Sequence, residues 1–407
     1  MASKDLDRLF ALLPTFEHQK GIQLFDDLMK DPANGAPILH ALLPVVSNHD
    51  DPQLHTPHGV LTIQAGRELL RLTRPPGGLG LLRFLVLYNF SLQKRRLTAS
   101  GVEAEARAIP SASEGEKARA YRKFVFERMG PKAAPLLARI ALDHGIERAA
   151  HLAIRTSLDD LGRLGHNLAL AVGYSEIASV LGLPAGLVPI ANLGHVQAVG
   201  LQGVAPLEIP ILNGPGSGKA DVQALSHHLD EWEFDRVEAP LRALAFEGLA
   251  DEAYRPLLIA ASAEPGFLGH TLAEVHDARL ASRFLTPSEN AWLSWKLYRT
   301  LTTRFGYPEF LRLGEHHHGD RHSMLSPLES SLRYKSPPAE ETVRHALEGG
   351  VALEEILEMV VDFYGQWTVG EKEHTIIYLN AVLQTAKFLG TEEALLPLAI
   401  GLSKLPF

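Results

Sequence analysis

Apolar residues recur at three- and four-residue spacings along most of the chain, and this pattern predicts a mainly helical protein. Helices are expected over residues 6–13, 22–29, 37–46, 117–129, 132–144, 251–263, 272–284 and 289–305. A further helix over 59–72 is apolar on one face and is stopped by Arg74-Pro-Pro-Gly-Gly78. The last third adds 340–347, 353–364 and 371–389. Short β-branched runs are scarce, so the expected class is all-α, a multi-helix single domain of residues 1–407 with a histidine-rich buried core.

Two segments interrupt the pattern. Residues 213–219, Asn-Gly-Pro-Gly-Ser-Gly-Lys, read as a turn cluster. Residues 306–340 read as a long irregular loop punctuated by Pro308, Gly314, Gly319, Pro327, Pro337 and Pro338, of the kind that lids a site. Residues 177–207 carry no formal charge but contain Gly182, Pro184, Gly186, Pro189, Gly194, Gly200, Gly203 and Pro206. A bilayer helix needs about 20 continuous apolar residues. The punctuation instead predicts broken helices buried in a core, and no membrane partner.

Composition narrows the chemistry. Of 407 residues, 46% are apolar and 21% charged, which fits an ordinary globular chain. The net charge of −9 and the lack of a long basic run exclude nucleic acid as an expected partner. There is no cysteine, so thiolate nucleophiles, Cys-held zinc and iron–sulfur clusters are all excluded. That absence fits a reducing compartment, and with no apolar leader run at the N-terminus the expected location is cytoplasmic. The 19 histidines make a His-held metal the first chemistry to look for.

The common catalytic signatures are missing. Position 213 is Asn and position 220 is Ala, so the turn at 213–219 fails as a phosphate loop. Neither Gly-x-Ser-x-Gly nor His-Glu-x-x-His occurs. Glu315-His-His-His-Gly-Asp-Arg-His322 is the densest histidine run, but adjacent histidines do not readily converge on one ion. His55, His58, His151, His166, His195, His270, His276 and His374 lie in apolar, helix-like contexts. Ligands on several helices can project into a bundle interior. Glu371 and His374, three apart, share a helix face.

Four short segments resemble the questin oxidase-like family, which includes ring-opening oxygenases acting on anthraquinones. Leu54-His-Thr-Pro-His-Gly-Val-Leu-Thr-Ile63 is similar to an Asn-His-x-Pro-Met-x-Leu-x-x-Leu pattern, which pairs His55 with the family histidine and places His58 where Met stands. Ala149-Ala-His-Leu-Ala-Ile-Arg-Thr156 is similar to His-x-x-Ile-Arg-Thr and gives His151. Gly194-His-Val-Gln-Ala-Val199 gives His195, and Glu373-His-Thr-Ile-Ile-Tyr-Leu-Asn-Ala381 gives His374. The resemblance implies a mainly α fold and, in one branch, non-haem iron held by several histidines and a carboxylated lysine. That lysine falls on Ile377 here, and a further family histidine falls on Leu158. Glu371 is the nearest replacement carboxylate, and His270 or His276 is left to complete the set.

The expectation is an oxidoreductase that uses O2 at a His-ligated non-haem iron, as a mono- or dioxygenase. It would convert, and in one version ring-open, an aromatic polyketide-like small molecule. The expected ligands are His55, His151, His195, His270, His374 and Glu371. Arg155 is the candidate to hold a phenolate or carboxylate of the substrate. Asp159, Asp160 and Asp277 are candidates to orient ligand imidazoles. Two alternatives stand beside this reading. One is a metal-free Baeyer–Villiger-type oxidase using NADPH, for which no dinucleotide fingerprint exists. The other is a non-enzymatic helical ligand-binding or partner protein whose histidines are structural.

Overall fold

The computed structural model describes residues 3–14, 18–51, 56–74, 77–161, 163–200, 214, 219–231, 233, 236–300, 308, 311–315, 317, 319–367 and 373–405. Among them the chain forms 21 α-helices and no β-strand. In order these are α1 (Ser3–Leu12), α2 (His18–Leu28), α3 (Gly35–Val46), α4 (His58–Leu70), α5 (Leu79–Ser91), α6 (Ala99–Arg107) and α7 (Glu114–Phe126). Next come α8 (Gly130–His144), α9 (Ile146–Ser157), α10 (His166–Leu181), α11 (Leu187–Gly200), α12 (Val222–Asp230), α13 (Glu238–Phe246) and α14 (Arg255–Ala263). The chain ends with α15 (His270–Ala281), α16 (Pro287–Thr300), α17 (Arg321–Tyr334), α18 (Ala339–Glu348), α19 (Leu353–Trp367), α20 (Glu373–Leu389) and α21 (Leu395–Lys404). The all-α expectation holds.

One cluster of buried apolar side chains runs from Leu9 to Leu405, so the described helices share a single core. Its centre is a ring of four helices. α4 packs on α20, α20 on α15, α15 on α10, and α10 back on α4. Gly173 lets α10 lie close to α4, since a Cβ there would come within 2.9 Å of Val60 and Gln64.

The uncharged stretch behaves as its punctuation predicts. α10 and α11 are buried along most of their lengths, with the chain broken between them at residues 182–186. Residues 201–207 lie outside the described set. No described helix is long and apolar enough to cross a membrane.

The segment 306–340 is a correction. It holds a whole helix, α17, whose N-cap Asp320 accepts a hydrogen bond from the Ser323 amide. Met324, Leu328, Ser331 and Leu332 are buried along one face. Pro327 lies inside the helix and leaves the Ser323 carbonyl without its usual intrahelical donor, yet the helix runs on to Tyr334 with its apolar face buried. Weighing prolines and glycines alone hid that apolar face.

Candidate metal centre

The four helices of the central ring begin at the same place, and each carries a histidine at its first or second position. His58 opens α4, His166 opens α10, His270 opens α15, and His374 is the second residue of α20. The imidazoles form a closed circuit. Ring centroids are 5.4 Å apart for His58–His166, 5.1 Å for His166–His270, 5.3 Å for His270–His374 and 4.7 Å for His374–His58. One nitrogen each from His58, His166 and His374 lies within 4.8 Å of the other two. An ion at about 2.1 Å from each donor holds opposed nitrogens about 4.2 Å apart, so small rotations close the set.

The local sequence builds two of these corners identically. Leu164-Gly-His-Asn-Leu-Ala169 and Leu268-Gly-His-Thr-Leu-Ala273 share Leu-Gly-His-x-Leu-Ala. In both, Leu and Gly have positive φ: 57° and 79° at Leu164 and Gly165, 50° and 79° at Leu268 and Gly269. This left-handed pair turns the chain sharply into the helix and presents the histidine at its first position. At Gly269 glycine is also required by space, because a Cβ would stand 2.1 Å from Cδ2 of Tyr378.

Proton positions favour ligation. Nδ1 of His270 lies 2.6 Å from the Phe267 carbonyl, which can only accept, so Nδ1 carries the hydrogen and Nε2 keeps its lone pair. Nδ1 of His374 is 3.4 Å from Glu373 Oε1. That hydrogen bond holds the Glu373 carboxyl below its ordinary range. Nε2 of His58 is buried and has no hydrogen-bond partner. Burial first, and then the neighbouring His374, push His58 down to about 4. Burial also lowers His270. Both rings are therefore neutral at pH 7, the form that binds a metal.

A cavity of about 580 Å³ opens beside His374 and Glu373, walled by Gly266, Leu268, Gly269, Thr375 and Tyr378. Leu268, 52% exposed, and Phe267, 72% exposed, stand on the same loop and make its rim apolar. The buried Tyr378 hydroxyl has no hydrogen-bond partner, and burial raises its phenol. Deeper in the same helices, Glu68 accepts from His276 Nε2 at 3.0 Å and from Asn380 Nδ2 at 2.5 Å.

The structure redistributes the residues singled out from sequence. His270 and His374 join the circuit. His58 and His166 join it too, although the family pattern gave His58 the place of a Met and offered nothing for His166. The repeated Leu-Gly-His-x-Leu-Ala was the signal for His166. His55 and Glu371 lie outside the described residues, as do His316 and His318. His276 pairs with Glu68 rather than entering the circuit.

His151 is elsewhere. Its Nε2 is 3.0 Å from Glu289 and its Nδ1 is 2.9 Å from Arg148, so both ring nitrogens are engaged. Arg155 belongs to the same ion network, 3.5 Å from Asp159 and 3.3 Å from Glu289. Arg122 also pairs with Asp159, which is why this buried carboxylate is not free to orient an imidazole. His195 lies on α11 against Gly130, away from the four converging rings. Ile377 packs on the core. No family model, curated protein or solved structure matches this chain.

Proposed function

We propose that the chain is a non-haem iron oxygenase that oxidises a small aromatic molecule with O2 at the His58–His166–His270–His374 cluster. The observation that carries this reading is the convergence of four imidazoles from four helix starts, with His58 Nε2 buried and unpaired. The fit of the residues to a metal is chemical. Neutral imidazoles suit iron, copper, nickel and zinc alike. The resemblance to the questin oxidase-like segments selects iron. Iron bound there would supply O2 activation.

The chain's own groups do the rest. The Phe267 carbonyl holds His270 in the Nδ1–H form, and Glu373 does the same for His374. Phe267 and Leu268 give an aromatic substrate an apolar entrance, and a cavity of about 580 Å³ is ample for several fused rings. The positive ends of four helix dipoles meet at the cluster, each worth about 0.3–1 kcal/mol for a nearby charge. They favour the phenolate form of the substrate. They do not decide metal binding, which is worth on the order of 10 kcal/mol and is helped here by Glu373.

The test is metal analysis of tag-free protein after reconstitution with ferrous iron under argon. About one iron per chain is expected. His58→Ala and His166→Ala should each lose it, and a variant with His316, His317 and His318 replaced by alanine should keep it. Wild-type protein that stays metal-free overturns the reading. Iron that binds without O2 uptake across a panel of hydroxylated anthraquinones would instead favour a binding protein with structural histidines.

A further inference from the structure

A second site lies at the opposite end of the same helices. Arg67 falls in the last turn of α4, nine residues beyond His58, or about 14 Å at 1.5 Å per residue. Arg67, Arg71 and Arg283 converge on a cleft of about 560 Å³ that also holds Glu147, Glu176 and Ser179. A second cleft of about 500 Å³, walled by Met29, Ala36, Leu39, Leu70 and Leu82, shares Arg67 and Arg71 with it. The two guanidiniums therefore stand between a charged hollow and an apolar one.

Among the described residues, the arginines of this cleft are not all paired. Arg283 pairs with Glu176. Arg67 and Arg71 make no side-chain hydrogen bond or ion pair with any described residue, although Arg67 is partly buried. Burial lowers Arg67; Glu176 opposes this most, Arg71 and Arg283 add repulsion, and Glu68 opposes them, so what remains is the cost of burying the charge. A cation in the last turn of a helix is ordinary, because it faces the negative end of the dipole. Three cations crowded on one cleft are not explained that way.

We infer that the Arg67–Arg71 cleft binds a small monocarboxylate with an apolar tail. The carboxylate would take the paired donor geometry that guanidinium offers. The tail would lie along Ala36, Leu39 and Leu82. Glu68 is taken up by His276, so the three guanidiniums face Glu147 and Glu176 and leave one positive charge; a monoanion fits better than a doubly charged phosphate. This site is separate from the histidine cluster and does not depend on its chemistry.

The probe is dodecanoate, titrated by calorimetry into the full chain below its micelle concentration. Saturable binding of one dodecanoate per chain is expected. The double variant Arg67→Gln/Arg71→Gln should weaken it at least tenfold, and the methyl ester should bind at least tenfold more weakly than the acid. Ala36→Trp, which fills the apolar cleft from an exposed position, should also cut affinity tenfold. It remains informative if the arginine variant does not fold. His374→Ala should leave binding within twofold. Wild-type affinity retained in the arginine and tryptophan variants overturns the inference, as does loss in His374→Ala alone, which would put the ligand in the cavity at the cluster. Displacement by inorganic phosphate at millimolar concentration, with the ester binding as well as the acid, would also overturn it.

Discussion

The imidazole of His58 lies 4.7 Å, centroid to centroid, from that of His374, although the two residues come from opposite ends of the chain. The contact follows from helix packing. α4 and α20 lie side by side, and their first turns meet at these two rings. A ligand held across that junction ties the earliest and latest helices of the ring together. Removing it should loosen the fold as well as empty the cluster.

His166→Ala is therefore expected to abolish metal retention, whereas His151→Ala and His195→Ala are expected to keep it. Ligand that binds only the folded state stabilises by about 4 kcal/mol at a thousandfold excess over Kd. Chelation of the reconstituted protein should thus lower the thermal midpoint by several degrees, and His166→Ala should show no further drop on chelation. Metal analysis and thermal unfolding, with and without chelator, read both effects. Metal loss in His195→Ala with retention in His166→Ala would move the site to where the sequence segments placed it.

Gly269 has φ of 79° and sits under the ring of Tyr378, with Cδ2 only 2.1 Å from where a Cβ would be. Alanine there meets both a backbone it rarely adopts and a ring that cannot yield without disturbing the core. A cost of about 2–4 kcal/mol is expected. Gly390→Ala has an almost identical φ of 80° but nothing within 4 Å, so only the backbone part, about 1 kcal/mol, should appear. Denaturant titration of the two variants separates space from conformation. Equal losses would show that the Tyr378 contact is unimportant.

Helix class was legible because apolar spacing is a local property, and one buried face per helix repeats it all along the chain. α17 was missed because Pro327 reads as a breaker, whereas the burial of Met324, Leu328 and Leu332 holds the helix together around it. All four circuit histidines were legible as histidine in helix-like sequence, but only His270 and His374 entered the expected ligand set. His166 was passed over because Leu-Gly-His also occurs at His195, and only the longer Leu-Gly-His-x-Leu-Ala shared with His270 sets it apart. The difference lies in the two positive-φ residues before His166, against the continuous helix around His195. Arg155 was unreadable for a related reason. Its partners Asp159 and Glu289 fix its role, and one of them comes from a distant helix.

That ion network yields its own expectation. The Asp159 side chain is fully buried between Arg122 and Arg155. Asp159→Ala leaves two arginines without their shared carboxylate and should cost about 3 kcal/mol or more. Arg155→Met removes one charge but keeps the aliphatic stem, so a smaller loss is expected. Metal content should stay at the wild-type level in both. A fall in metal binding for Arg155→Met, at unchanged thermal midpoint, would return Arg155 to the site.

Asp277 gives a pH dependence of definite sign. It is partly buried on α15, where burial, with Glu68, Glu176 and Glu274 nearby and only His276 opposing, pushes its carboxyl up to about 7. The unfolded carboxyl ionises near 3.9. Between about pH 4 and 7 the folded state therefore holds a proton that the unfolded state has released. Stability falls as pH rises through that window and is level above it. Asp277→Asn cannot ionise, so it should match wild type near pH 4 and exceed it by roughly 1–3 kcal/mol at pH 8. His276 and Glu68 superimpose a trend of their own. His276 is raised and loses its contribution as pH rises, while Glu68 is lowered and loses its contribution only in acid. The difference between variant and wild type, taken at each pH by urea titration, largely removes that shared background. A difference that is constant from pH 4 to 8 would show that Asp277 is ionised throughout, and that its neighbours do not confine it.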